Sequence, residues 1–131
     1  MLTQVLVPLL LTGYASAIAV RLYNYDGANM AYSVNADGSC FSLSGGTLQQ
    51  FNDKLKAMDI PSGYQCVLWD NFNCNGKHTN SIGGFPQISQ VCKGVYHNDL
   101  NYDWSATASS FKCCPAGPDP GWCAGSIPYC T

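Results

Sequence analysis

Eight cysteines constrain the fold of this 131-residue chain more than any other feature of its sequence. They stand at Cys40, Cys66, Cys74, Cys92, Cys113, Cys114, Cys123 and Cys130. An even number of cysteines in a small chain is typical of a disulfide framework formed in an oxidising compartment. No C-x2-C pair is present and neither histidine has the spacing of a known zinc motif, so zinc is not expected. We therefore expect four disulfides.

The first 17 residues have the pattern of a secretory signal peptide. An apolar run from Val5 to Leu11 is followed by Ala15, Ser16 and Ala17, which match an A-x-A cleavage site. The run is under half of the roughly 20 residues that a transmembrane helix needs, so no membrane span is expected. We predict that residues 1–17 are removed and that the protein is secreted with Ile18 near its start. A buried hydrophobic strand is the alternative for this segment.

The composition favours an all-β fold. Charged residues make up 11% of the chain and Glu is absent, whereas exposed helix surfaces are commonly built from Glu, Lys and Arg. Short apolar runs alternate with clusters of Gly, Asn, Asp and Ser, which is typical of strands joined by turns. The formal net charge of -2, with six basic residues and no basic cluster, excludes a nucleic-acid binder that depends on a basic patch.

The two halves of the chain resemble each other. Val20–Tyr23 at the start of one half corresponds to Val67–Trp69 in the other, and residues 51–58 correspond to residues 104–111. Each half contains about four short strand-like runs, the number that forms one Greek key. The repeat therefore predicts two Greek keys in a single domain.

The segment from Gly63 to Gly76 resembles the ascending strand and folded hairpin of a βγ-crystallin Greek key. That family's pattern is an aromatic residue, four residues, a second aromatic, any residue and then Gly. Trp69 and Gly76 match it, while Cys74 replaces the second aromatic. The resemblance covers about residues 19–113. It implies a two-Greek-key β-sandwich over residues 18–113, which we expect to be monomeric. The resemblance does not cover residues 114–131, which hold four of the seven prolines, and their composition predicts an irregular, disulfide-stapled tail.

Microbial members of this family often bind calcium through a loop of two Asn or Asp residues, two variable residues, and two hydroxyl residues. The positions that retain ligand types are Asn52, Asp53, Ser109 and Ser110. The first copy has Lys56 and Ala57 instead of hydroxyls, and the second has Ser105 and Ala106 instead of the acidic pair. Calcium takes about six to eight oxygen ligands, and each copy lacks half of its set. We expect no required cofactor, and a calcium affinity that is millimolar or absent.

The resemblance also implies a disulfide arrangement. In a two-key domain the third strand of one key lies beside the fourth strand of the other, which brings Cys40 close to Cys113. Cys66 and Cys74 are expected to face each other across one hairpin. Adjacent Cys113 and Cys114 should have different partners, because neighbouring side chains of a strand point to opposite sides. The remaining cysteines join the tail to the body in an order that stays open; they are Cys92, Cys114, Cys123 and Cys130.

No catalytic residues are predicted. A carboxylate pair would have to come from eight aspartates, none of which the sequence distinguishes, and no G-x-S-x-G turn supports His97 and Asp99 as parts of a triad. The chain is therefore not expected to be an enzyme. The βγ-crystallin family, which the chain resembles, has secreted microbial and fungal members. They include killer-toxin-like antimicrobial proteins and a metalloproteinase inhibitor.

We therefore expect a toxin-like antimicrobial or effector protein that binds an unknown protein or cell-surface target. The alternatives are an extracellular protease inhibitor, a structural module, or a weak calcium-binding protein of the crystallin type. In the tail, Trp122 and Tyr129 each precede a cysteine in a segment stiffened by proline. They are candidate contact residues, because aromatic residues are enriched at interface hot spots. Alternatively, their rings cover an apolar edge of the sandwich.

Overall fold

Strand β1 (Ala17–Asn24) shows how the sequence specifies the sheets in the computed structural model, which describes residues 17–79, 81–91 and 104–117. Ile18, Val20 and Leu22 are buried, whereas the intervening Ala19 and Arg21 are exposed. Side chains of a strand point alternately to its two faces, so this alternation places one face of β1 on the core.

The described residues form seven strands in two antiparallel sheets. They are β1 (Ala17–Asn24), β2 (Asn29–Asn35), β3 (Cys40–Ser42), β4 (Leu55–Asp59), β5 (Tyr64–Asn71), β6 (Asn75–His78) and β7 (Ser110–Pro115). Sheet A has the order β2-β1-β4 and sheet B the order β3-β7-β5-β6. Short 3-10 helices span Gly46–Phe51 and Ile88–Gln90. In the described part of the chain, no helix is long and apolar enough to cross a membrane.

Strand β3 leaves the first half of the chain to join the sheet of the second half. It pairs with β7, with Phe41 opposite Phe111 and Ser42 opposite Ser110. This arrangement confirms the predicted all-β, two-Greek-key sandwich, in which the third strand of one key lies beside the fourth strand of the other. The exchange joins the two halves, because sheet B holds β3 of the first half together with β5, β6 and β7 of the second. An isolated bridge from Gln87 to Ala57 on β4 makes the reverse connection.

The core lies between the two sheets. Its largest fully buried side chains include Phe51, Trp104 and Phe111. The ring of Phe41 stacks on Phe111 with centroids 5.7 Å apart, and Tyr32 on β2 meets Phe41 edge-on at 6.0 Å. These rings connect the edge of sheet A to sheet B and close that side of the sandwich.

The pairing of the cysteines differs from the sequence-based expectation. Cys66 bonds to Cys113 and Cys40 bonds to Cys74, so the predicted Cys66–Cys74 bridge is wrong and Cys40 is not joined to Cys113. The reason is the face on which each side chain lies. Cys66 and Cys113 are register partners on β5 and β7 and both belong to the buried core. Cys74 packs instead with Val67 and Trp69.

The second disulfide therefore lies on the outer face of sheet B. Cys40 is the register partner of Lys112, which points away from the core side occupied by Cys113. The Cys40–Cys74 bond thus ties edge strand β3 to the β5–β6 hairpin across β7. Cys114 is also disulfide-bonded. This confirms that Cys113 and Cys114 have different partners, because Cys113 is bonded to Cys66.

Several predictions from the sequence concern residues outside the described part. The signal-peptide residues 1–16, the contact candidates Trp122 and Tyr129, and the cysteines Cys92, Cys123 and Cys130 all lie there. The predicted domain boundaries stay predictions. Strand β7 ends at Pro115, within the segment that was assigned to the tail.

The β5–β6 hairpin depends on Gly76. Its φ of 94° is in the region that favours glycine. Asp70 Oδ1, which accepts a hydrogen bond from the Lys77 amide at 2.9 Å, occupies the space where a Cβ at position 76 would lie. The Asn71 Nδ2 atom would be 2.6 Å from that Cβ. The backbone angle therefore favours glycine, as the sequence pattern indicated, and a Cβ here would also displace the side chains of Asp70 and Asn71.

We expect Gly76→Ala to be more destabilising than Gly27→Ala, a matched control in the β1–β2 turn. Gly27 has a φ of 91°, but nothing lies within 4 Å of its Cβ position. Both variants should lose roughly 1–2 kcal/mol from the positive φ. Gly76→Ala should lose roughly 1–3 kcal/mol more, because its new methyl group overpacks the hairpin. Urea unfolding measures the difference, and equal losses would contradict the role given to Asp70 and Asn71.

Candidate functional site

Two equivalent loops, one from each half of the chain, meet at one end of the sandwich. Each follows a fully buried aromatic residue, Phe51 in the first half and Trp104 in the second. Two positions after that aromatic, each chain takes a positive φ, 55° at Asp53 and 59° at Ala106. The shared geometry confirms the internal repeat that the sequence indicated for residues 51–58 and 104–111.

Reciprocal hydrogen bonds hold the two loops together. The amide of Asp53 donates to the carbonyl of Ala108 at 3.2 Å, and the amide of Ala106 donates to the carbonyl of Leu55 at 3.2 Å. Each bond joins the positive-φ residue of one loop to the residue two positions after the equivalent residue of the other. The first half of one loop therefore faces the second half of the other loop.

This pairing brings together calcium-ligand residues from the two copies of the motif. Ser109 Oγ donates to Asp53 Oδ1 at 3.2 Å, and Asn52 Nδ2 lies 3.5 Å from Asp53 Oδ2. Within each copy of the motif, half of the ligand types are missing. The structure instead brings Asn52 and Asp53 of the first copy together with Ser109 of the second. One position therefore holds three of the four residues that retain ligand types, Asn52, Asp53 and Ser109.

Asn52 contributes an additional feature to this position. Its Oδ1 atom is buried and has no hydrogen-bond partner among the described residues. Burial of an amide oxygen without a partner costs roughly 1–3 kcal/mol of folding free energy. A cation or a hydrogen-bond donor at this oxygen would offset that cost. The residues that offer oxygen atoms here are Asn52, Asp53 and Ser109, with a single carboxylate between them.

The fourth predicted ligand, Ser110, has a different role. Its hydroxyl donates to the carbonyl of Asn71 at 2.6 Å and accepts a hydrogen bond from the Cys74 amide at 2.8 Å. The residue is fully buried. Ser110 therefore ties β7 to the β5–β6 hairpin. Its contacts do not support the prediction that it binds calcium, because both bonds occupy the hydroxyl that would be the ligand.

The other pairing, between the first half of the second loop and the second half of the first loop, lacks the residues that would bind calcium. It brings together the positions of Ser105 and Ala106 with those of Lys56 and Ala57. The Lys56 ammonium lies 5.9 Å from the centroid of the Tyr25 ring, and Ala57 is buried. No carboxylate is present in this set, so the two described loops offer one candidate cation site between them.

The donor set fits calcium poorly. Calcium takes about six to eight oxygen ligands, often with several carboxylates, and Asp53 is the one carboxylate in the set. Within residues 17–79, 81–91 and 104–117, no three His, Cys, Asp or Glu side chains form a group that could hold a metal ion. What the arrangement can do chemically is limited to weak cation binding, with water as the remaining ligands.

Comparison with known proteins identifies the fold. No family model matches the chain, and no curated protein matches it either. A βγ-crystallin domain from Flavobacterium johnsoniae is 20% identical, with a TM-score of 0.50 over 76% of this chain and 98% of that domain. A double mutant of a βγ-crystallin domain from Clostridium beijerinckii is 24% identical, with a TM-score of 0.49 over 74% of this chain and 97% of that one. The structural match to the Flavobacterium johnsoniae domain supports a shared βγ-crystallin fold, and it does not extend to function.

We expect calcium to bind at one position with a Kd of about 1 mM. At 1 mM calcium such binding would add about 0.4 kcal/mol to the free energy of unfolding. This amount raises the Tm of a domain of this size by about 2–3 °C. Titration calorimetry should give one equivalent for the native protein and for the control Asp37→Asn, and no binding for Asp53→Asn. Two equivalents, a micromolar Kd, or unchanged binding by Asp53→Asn would contradict the assignment.

Proposed function

We propose that this chain, which has the βγ-crystallin fold, is a secreted, non-enzymatic binding protein of the toxin-like antimicrobial or effector kind. The observation that carries the proposal is the placement of its disulfides. One lies inside the sandwich between β5 and β7, and another spans the outer face of the same sheet. Each contributes roughly 4 kcal/mol in the chain-entropy model, given the 34 and 47 residues that separate the bonded cysteines.

Cross-linking of this kind is typical of proteins that act outside the cell. Disulfides persist in oxidising compartments and are rare in the cytosol. All five cysteines in the described part of the chain are oxidised. The apolar N-terminal segment with its A-x-A site supports export, since it has the pattern of a signal peptide. A protein built in this way retains its shape in a medium that contains proteases and foreign cells.

The arrangement of the described polar groups supports binding more than catalysis. Among the described residues, no imidazole is hydrogen-bonded to the hydroxyl–carboxylate pair of Ser109 and Asp53. His78 lies elsewhere, with Nδ1 2.7 Å from the Thr79 carbonyl oxygen and its ring beside Trp69. In the described part of the chain the pair therefore lacks the histidine that commonly activates a serine nucleophile.

The proposal is tested by adding the purified, oxidised protein to growing cultures of bacteria, yeasts and filamentous fungi. The full chain should be recovered from the medium of a secreting host with its N-terminus near Ile18. We expect arrest of growth in at least one culture at a concentration that depends on protein dose. The matched control is the same preparation after reduction and alkylation of its cysteines, which should be inactive because the cross-links are lost.

Two other outcomes would overturn this proposal. Stoichiometric inhibition of an extracellular protease, without any effect on growth, would assign the chain to the inhibitor class. Release of product from a cell-wall or peptide substrate, with many turnovers per protein molecule, would show that it is an enzyme.

A further inference from the structure

A groove of about 210 Å³ crosses the outer face of sheet A, on the opposite side of that sheet from the core. Its lining consists of Ala19, Val20, Arg21, Ala31, Asp59 and Pro61. The groove is smaller than the roughly 300–1,000 Å³ of a site for a drug-sized ligand. It could therefore hold one ring of a longer molecule that continues along the surface.

The floor of the groove is formed where two neighbouring strands carry alanine. Ala19 on β1 and Ala31 on β2 are both exposed on the outer face. Ala31 is the register partner of Arg21, so the methyl group and the guanidinium stem lie side by side. Because alanine has no side chain beyond Cβ, a ligand can approach the sheet closely at these positions.

Two opposite charges flank this floor. Arg21 on β1 and Asp59 on β4 are register partners, and both are exposed on the outer face. Arg21 Nη1 donates to Asn29 Oδ1 at 2.6 Å, which holds the guanidinium toward β2. Within the described residues the Asp59 carboxylate has no hydrogen-bond or ion-pair partner. The groove thus offers both acceptors and donors, while its net charge is zero.

An aromatic shelf continues from the groove along the same face. Tyr23 follows Arg21 by two residues on β1, so both side chains are on the outer side. The ring of Tyr23 meets that of Phe85 edge-on, with centroids 5.4 Å apart. Phe85 is 53% exposed, so much of its ring is accessible to a ligand beside the groove.

We propose that this groove and shelf bind a neutral polysaccharide. A sugar ring has polar hydroxyls at its rim and apolar C–H groups on its faces, and both features have a counterpart here. Carboxylate oxygens of Asp59 accept hydrogen bonds from hydroxyls, and guanidinium N–H groups of Arg21 donate to them. The rings of Tyr23 and Phe85 pack against C–H groups of the neighbouring sugar unit.

The charges select this ligand class over others. An anionic polymer would be repelled by Asp59 and a cationic one by Arg21, whereas a neutral polar ligand can use both groups. The inference rests on the proposed function in one respect, since it names the chemistry of the surface to which the secreted protein would attach. It has its own readout, because binding to a polysaccharide can be measured without any effect on growth.

The test is sedimentation of the protein with insoluble chitin, cellulose and β-1,3-glucan, with an anionic polygalacturonate gel as contrast. The variants are Asp59→Ala, which removes the free acceptor, and Ala31→Ile, which fills the groove with a branched aliphatic side chain that an exposed strand position tolerates. Asp37→Ala is the matched control, because Asp37 is also exposed but lies outside the groove. Unchanged melting temperatures establish that each variant is folded.

We expect the native protein and Asp37→Ala to bind at least one neutral polysaccharide equally well. Loss of a hydrogen bond to a charged group should weaken binding of Asp59→Ala about tenfold. Ala31→Ile should bind no better than background, because its side chain occupies the groove. The inference would be overturned if the native protein bound no neutral polysaccharide, or if it preferred polygalacturonate. It would also be overturned if both groove variants bound as well as the native protein. Growth arrest by a protein that binds no polysaccharide would leave the proposed function in place and remove this inference alone.

Discussion

The antiparallel pairing of β5 with β7 is the interaction on which the other features of this structure depend. It places Cys66 opposite Cys113 on the core side, where a disulfide joins strands that lie 47 residues apart in sequence. The other edge of β7 accepts β3 from the first half of the chain, so one strand connects both Greek keys. Ser109, immediately before β7, donates a hydrogen bond to Asp53. Ser110, the first residue of β7, donates one to the carbonyl of Asn71 at the β5–β6 hairpin.

The outer face of sheet B shows how a disulfide can replace part of an aromatic motif. Trp69 is only 8% exposed and packs with Val67 and Cys74, while the Lys112 ammonium lies 5.3 Å from the Trp69 ring centroid. In the βγ-crystallin pattern the position of Cys74 belongs to a second aromatic residue. Here the bond from Cys74 to Cys40 fastens the hairpin to the edge strand, and the hairpin no longer depends on packing of that ring.

Much of the fold follows from the sequence, whereas the sites follow from details that the sequence does not contain. Alternation in β1, the repeat, and Gly76 predicted the two Greek keys, because these signals are local. The partner of Cys66 was missed because it depends on which face of sheet B each cysteine occupies, and a folded hairpin turns Cys74 to the outer face. The combination of Asp53 with Ser109 depends on the symmetry between two loops. The groove depends on strand register, which places Arg21 between Ala31 and Asp59.

Disulfide mapping of the unreduced protein tests the β5–β7 pairing most directly. Cleavage before aspartate separates the relevant cysteines, because Asp70 lies between Cys66 and Cys74. The account predicts that peptide 59–69 is linked to peptide 103–118, and that fragmentation assigns this bond to Cys113. Peptide 37–52, which contains Cys40, should be linked to peptide 70–98 through Cys74. A link between peptides 59–69 and 70–98 would contradict the account, since it would require Cys66 to leave the core face of β5.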